Sequence, residues 1–296
     1  HRPSAAMSLR PKLAAMRAST PVAGSDSDPS TMRCRGCGGK TSARVLQRVL
    51  HRLRAEWPTS PQGFLQSDDT ALLPAASADQ PGVNAVSVDF FPAFLADAWL
   101  SGRIAAIHAL SDLWASGVQS TSALAMVILP DGSVDRQSEM LHQVLSGAIS
   151  EFSRANTVLV GGHTTNGEEL AIGFTVFGRT RKATVDRLPL SKANLCPGQL
   201  LILTKALGTG VILAANELRL AEARSMSAAI DMMLQSNQTA SEIAGEFGVT
   251  AATDVTGFGL AGHLLEMCQQ SGVSAELRID SIPLLKGAAD LIKAGI

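Results

Sequence analysis

Charge is scarce in this chain. Asp, Glu, Lys and Arg make up 17% of its 296 residues, with 25 basic against 26 acidic side chains and a net charge of −1. Such a balance supplies no positive field for nucleic acid or an acidic membrane surface, so neither is expected as a partner. Long apolar runs are missing too: no stretch reaches the roughly 18 to 20 residues of a membrane span. Cysteine is sparse and scattered, at positions 34, 37, 196 and 268. That excludes a disulfide-stapled scaffold as the simple reading and points to a reducing compartment.

Hydrophobic residues, by contrast, reach 46%. A chain of this length and composition can bury one large core or two ordinary ones. It opens on His1, so a natural start is expected upstream. Residues 1–32 are rich in Ala, Ser, Pro and basic side chains, with "GSDSDPS" as a polar run. They read as a disordered leader or linker without a core. The first 24 residues hold four Lys/Arg and no acid. This suits an organelle transit peptide as well as a linker from an upstream segment. The expected location is accordingly the cytoplasm, or an organelle if the leader is a transit peptide.

Periodicity begins after Thr41. In "SARVLQRVLHRLRAE", Val45, Leu46, Val49, Leu50 and Leu53 fall on one helical face. "NAVSVDFF", "TSALAMVILP", "NTVLVGG" and "LAIGFTVFGR" read as strands. Residues 93–116 read as one or two helices and 134–155 as an amphipathic helix. The proline-bearing stretch 180–199 is a plausible boundary. Beyond it the sequence predicts a strand at "LLILTKA", helical segments to about residue 248, a short strand in "AATDVTGFG", a helix in "LAGHLLEMCQQ" and a strand in "SAELRI". The expected class is α+β in two parts, because strands occur in pairs between helices rather than in strict alternation with them.

Four aspartates stand in apolar surroundings: Asp69 before a strand, Asp89 at the end of one, Asp112 within an apolar helix, and Asp254 between a strand and a glycine turn. A carboxylate is costly to bury unless paired or bound to a cation, and no run of Lys or Arg accompanies these. Mg²⁺ commonly binds through a few carboxylates plus substrate phosphates. Together they are candidates for a magnesium–phosphate site, while each alone is better read as a cap, a turn former or a solvated charge. Gly161 and Gly162, read as following a strand, offer amides to a phosphate, with His163 either a donor there or a turn residue. "KALGTGV" lacks the third glycine of a dinucleotide fold.

The stretch "TMRCRGCGGKTS" resists two familiar readings. A P-loop would need glycine where Cys34 stands and a buried strand where "SDPSTMR" stands. A structural zinc site would need a second cysteine pair. What remains is Cys37 in a glycine-rich loop ahead of a helix, with Lys40 favouring its thiolate, or else an idle thiol in a lead-in.

Taken in order, "GCGGK", "DDTALL", "VDFFP", "GRIAAIHALSDLWASG", "LVGGHT", "LTKALGTG" and "TDVTGFGLAGHLLEM" resemble the selenophosphate synthetases (selenide, water dikinases), of the aminoimidazole ribonucleotide synthetase-like superfamily. The likeness runs from about Arg33 to the end. It implies a homodimer of two-domain α+β chains whose N-terminal sheets pack into a barrel. The segments it implies are a catalytic loop and first helix at 33–66, an ATP- and Mg²⁺-binding domain at 67–180 and a C-terminal domain at 197–296, incomplete at its end. The implied reaction takes ATP, selenide and water to selenophosphate, AMP and phosphate. Cys37 and Lys40 match the catalytic positions, Lys40 also serving ATP. Asp69, Asp112 and Asp254 match magnesium ligands, and Asp68, Asp89 and Asp112 match nucleotide contacts. Gly162, His163 and Thr164 match a nucleotide-contact loop that a second subunit can supply. His108 stands where relatives often carry Asn. Some relatives are fused behind a flavin-dependent NADH-dehydrogenase-like domain, and the leader fits such a fusion. The alternatives are another ATP-using enzyme of the superfamily, or a nucleotide-binding fragment without turnover.

Overall fold

The computed structural model describes residues 69–73, 83–180 and 190–296, with Met7–Ser8 and helical positions 48, 49, 51, 53, 55 and 56. Strand β1, Met7–Ser8, lies in the stretch expected to be a leader and pairs antiparallel with β7, Glu276–Leu277. The first unit contains β2 (Ala71–Leu73), β3 (Val83–Pro92), helix α1 (Ala98–Ala115), β4 (Gln119–Pro130), helix α2 (Val134–Arg154), β5 (Val158–Gly167) and β6 (Ala171–Thr180). The sheet order is β2-β3-β6-β4-β5, antiparallel except for the β4–β5 pair. The β4–β5 pairing is parallel because α2 carries the chain back across the sheet between them, as parallel neighbours require.

Two helix starts are written locally. Asp97 caps α1 by accepting from the Leu100 amide at 2.8 Å, and Ser133 caps α2 by accepting from the Arg136 amide at 3.3 Å. Helix α1 is apolar nearly all round because it lies between the sheet and α2. Leu110, Leu113 and Trp114 of α1 pack with Ala123 and Val127 of β4, Ile172, Phe174 and Val176 of β6, and Phe152 of α2. The rings of Phe152 and Phe174 meet edge to face at 5.0 Å. The buried Glu151 accepts from Arg103 of α1 and, at 2.7 Å, from Arg154, while Arg103 also lies over the Trp99 ring at 4.8 Å. A buried charge is thus paired twice where the two helices cross.

Among the described residues, no helix covers the opposite face of the sheet. Val88 and Phe90 of β3, Leu124 of β4 and Val158 of β5 are exposed there, next to Val86, Met126, Ile128 and Phe177.

The second unit is mostly helical. It comprises a 3-10 turn at Lys192–Asn194, α3 (Thr209–Glu217), α4 (Ala223–Leu234), α5 (Gln238–Glu246), α6 (Gly259–Ser271), β7, a 3-10 turn at Ile279–Ser281, and α7 (Ala288–Lys293). Its small core joins Ile212, Ala229, Leu285 and Ala288. Two expectations fail here. "LLILTKA" is not a strand: Leu200 is 90% and Ile202 82% exposed, and no strand of the described residues pairs with it. "AATDVTGFG" is irregular up to its turn, and "SAELRI" supplies only the two residues of β7. Apolar alternation expresses a preference for a sheet, but a strand needs a neighbour to bond.

The two units touch through α1. Asn237 donates to Ser111 Oγ at 2.9 Å and Ser241 Oγ to the Trp114 carbonyl at 2.5 Å. This seats the N-terminal end of α5 against the C-terminal half of α1, where the site lies.

Candidate functional site

Three distant carboxylates converge. Asp69 sits in the turn before β2, Asp112 in the last turns of α1, and Asp254 in the loop before α6; one oxygen of each lies within 4.8 Å of the others. Local structure places each of them. Thr70 Oγ1 donates to Ser116 Oγ at 2.9 Å, pinning the turn that holds Asp69 to the end of α1. Ser87 Oγ of β3 reaches the Asp69 carbonyl at 3.3 Å and donates to Asp112 Oδ2. The third carboxylate is steadied from behind. His263 Nε2, buried in α6, accepts from the Thr256 amide at 3.1 Å, which puts the ring proton on Nδ1 and braces the turn beyond Asp254.

Electrostatics mark the cluster as awaiting positive charge. Burial, then Asp254 and Asp89, and more weakly Asp69, push the Asp112 carboxyl well above the ordinary range, against the lowering effect of the Ser87 hydrogen bond. Asp254 Oδ2 is buried with no hydrogen-bond partner among the described residues. The donor set is all oxygen, the preference of hard divalent cations, and octahedral Mg²⁺ places opposite ligands about 4 Å apart. The residues present therefore fit Mg²⁺ with only small adjustments.

Two lysines border the site. Lys192 Nζ lies 2.7 Å from Asp69 Oδ1 and 3.1 Å from Glu266 Oε2. Burial pulls its ammonium down, but Asp69 and Glu266 outweigh that and hold it above the usual lysine range. Lys205 donates to the Gln235 carbonyl; burial lowers it to about 8, although Asp254 pulls the other way. His108 stands on α1 with Nε2 3.5 Å from Asp89 Oδ2, its ring edge-on to Phe91 at 5.6 Å.

Among the expected site residues, the structure brings together Asp69, Asp112 and Asp254, with Asp89 beside them. Asp89 lies inside β3 rather than at its end. Gly162, His163 and Thr164 do not follow a strand: they are inside β5, the edge strand, and β6 and β4 separate them from β3. Glycine is needed at 162 because a Cβ there would stand 2.3 Å from the Ala125 carbonyl oxygen. Cys37, Lys40 and Asp68 lie outside the described residues. Lys192, Lys205 and His263 escaped the sequence reading. For His263 a lone histidine in an apolar helix was the available signal; for Lys192 there was none.

The family model for AIR synthase related protein, N-terminal domain, matches residues 67–180, and that for its C-terminal domain matches 196–294. A selenide, water dikinase of Caldanaerobacter subterraneus subsp. tengcongensis is 36% identical over 261 residues, 88% of this chain and 73% of the relative. One from Myxococcus xanthus is 36% identical over 267 residues, 89% of this chain and 73% of the relative. The chain belongs to the selenide, water dikinase family. It is therefore an enzyme with the AIR synthase-like fold. A solved structure described as AaThiL complexed with AMPPCP and TMP shares that fold at a TM-score of 0.61 and 16% identity, covering 79% of this chain and 73% of that one. No helix of the described residues is long and apolar enough to cross a membrane.

Proposed function

We propose that this member of the dikinase family makes selenophosphate from ATP and selenide, releasing AMP and phosphate, with Asp69, Asp112 and Asp254 as its Mg²⁺ ligands. The observation that carries this reading is the convergence of those three carboxylates from opposite ends of the chain. Mg²⁺, when bound, offsets the charge of the triphosphate and aligns its γ-phosphate. The chain's own groups do the rest. Asp68, Asp89 and Asp112 orient the nucleotide. Lys40 places a positive charge beside the transferred phosphoryl group, and Cys37 offers a polarisable sulfur to selenium at the mouth of the glycine loop. Selenide attacks the γ-phosphorus as the bond to the β–γ bridging oxygen breaks. Water then attacks the β-phosphorus of the ADP so formed, giving AMP and phosphate. Water must be excluded in the first step and admitted in the second.

The reading includes a homodimer. The sheet face that no described helix covers is apolar, and Gly162, His163 and Thr164 stand across the sheet from Asp89 in one chain. A β5 segment donated by a second subunit meets both observations.

The test is selenide-dependent AMP formation from Mg²⁺-ATP. Asp112→Asn, Cys37→Ser and Lys40→Ala are each expected to lower the rate, the lysine change by about 100-fold or more, the scale of losing one preorganised transition-state partner. ADP accumulation without selenide would assign the chain to another kinase of the superfamily. ATP binding without any turnover would make it a nucleotide-binding protein.

A further inference from the structure

Lys192 takes no part in the phosphoryl transfer just described, yet its side chain is only 7% exposed. Burying an ammonium is costly unless it is paired, and pairing must be close to compensate. Both partners are acids, one from each unit of the molecule: Asp69 ahead of β2 and Glu266 on α6. The turn that presents Lys192 is itself fixed. Ser271 Oγ, at the end of α6, donates to the Lys192 carbonyl at 3.1 Å and accepts from the Leu195 amide at 3.1 Å, while the Ser191 amide donates to the Thr250 carbonyl at 3.1 Å. The ammonium is thus delivered by a braced turn rather than a free chain.

The contact is also specific in direction. Lys192 Nζ at 2.7 Å and Thr253 Oγ1 at 3.5 Å both address the same oxygen of Asp69, Oδ1. A carboxylate held at one oxygen has its other oxygen set by its own rigid geometry, and the cluster with Asp112 and Asp254 lies beside it.

We propose that Lys192 is the positioning residue of the cation site: by gripping Asp69 Oδ1 it orients that carboxylate toward a divalent cation shared with Asp112 and Asp254, and it makes cation binding depend on the seating of the second unit. This rests on reading the three aspartates as a cation site. The Lys192 charge opposes cation entry, but four carboxylates, Asp69, Asp89, Asp112 and Asp254, gather at the site. Orientation is what the lysine adds. Groups that orient a ligating carboxylate typically account for about 10- to 100-fold in metal affinity.

Mn²⁺ alone serves as the probe, titrated by electron paramagnetic resonance, with thermal unfolding of each variant measured alongside. Lys192→Met keeps the unbranched stem and removes the ammonium; its Mn²⁺ midpoint is expected to rise about 10-fold or more, with Lys192→Arg recovering part of the loss. Glu266→Gln, which leaves Asp69 and Lys192 in place, is expected to give a smaller rise. A Lys192→Met protein that binds Mn²⁺ as tightly as the natural chain, or more tightly, overturns the proposal, even if its melting temperature falls. If that variant does not fold, an unchanged midpoint in Glu266→Gln overturns it instead. The underlying site reading fails separately, if the natural chain and Asp112→Asn bind Mn²⁺ equally or not at all.

Discussion

Asp112 is a carboxylate near the end of an apolar helix, facing Asp254, Asp89 and Asp69. Its folded-state acidity is weakened by burial first and by Asp254 and Asp89 next. The sign for stability follows from linkage. A carboxyl whose folded pKa lies above its unfolded value contributes stability below the unfolded value, and that contribution is lost as pH rises through the folded one. Without a cation the protein should therefore weaken as pH rises above the ordinary carboxylate range. Mg²⁺ should restore what is lost, so its stabilising shift in melting temperature is expected to be larger at pH 8 than at pH 5. Asp112→Asn removes the repulsion, so it should melt no lower than the natural chain in the absence of Mg²⁺ and gain little on its addition. Equal Mg²⁺ shifts in the two proteins would remove Asp112 from the cation site. The aspartates could be read from sequence because a charge in an apolar setting demands an explanation. Lys192 could not, since its partners lie far before and far after it in the chain, and neither neighbour in sequence marks it. Gly162, His163 and Thr164 were legible as residues but misplaced as a turn. Glycines suggest loops, whereas here they let two strands approach.

At the scale of elements, the position of α1 decides where Asp112 points, and that position is fixed by two glycines. A Cβ at Gly102 would stand 2.0 Å from the Val144 carbonyl oxygen, and one at Gly147 would stand 2.1 Å from that of Trp99. Each helix approaches the other at its own glycine. On helix propensity alone, Gly→Ala would stabilise by up to about 1 kcal/mol. The contact reverses the sign: Gly102→Ala or Gly147→Ala should cost about 1–3 kcal/mol in denaturant unfolding, the range for overpacking. Cation binding should weaken with it, because α1 must shift. A stabilised variant would show that the crossing is loose. The strands and helices of the first unit were readable because each has a partner that rewards its periodicity, with α2 amphipathic against α1 and β4 alternating beneath it. In the second unit the same reading failed at "LLILTKA", whose pattern is that of a strand while the described residues offer it no edge.

For the whole molecule, the telling surface is the sheet face opposite α1, which no described helix covers. Val88 is 55%, Phe90 45% and Val158 61% exposed there, an apolar surface of a kind that monomers seldom leave to water. A two-fold partner applied to it would bury the same residues twice, since such an interface is self-complementary. Val88→Glu and Phe90→Glu should each shift the protein toward monomer in sedimentation analysis. A sharper consequence concerns the active site. If Gly162, His163 and Thr164 act on the nucleotide held by the other subunit, a His163→Ala/Thr164→Ala protein and an Asp112→Asn protein, each nearly inactive, should restore activity when mixed and allowed to exchange. In the mixed dimer one composite site carries both defects and the other carries none. Random pairing makes half the dimers mixed, so recovery should approach about a quarter of the natural rate under two-fold symmetry. Sites completed within a single chain would each keep one defect, and mixing would recover nothing. Recovery requires pairing across the apolar face, so adding Val88→Glu to both proteins should abolish it.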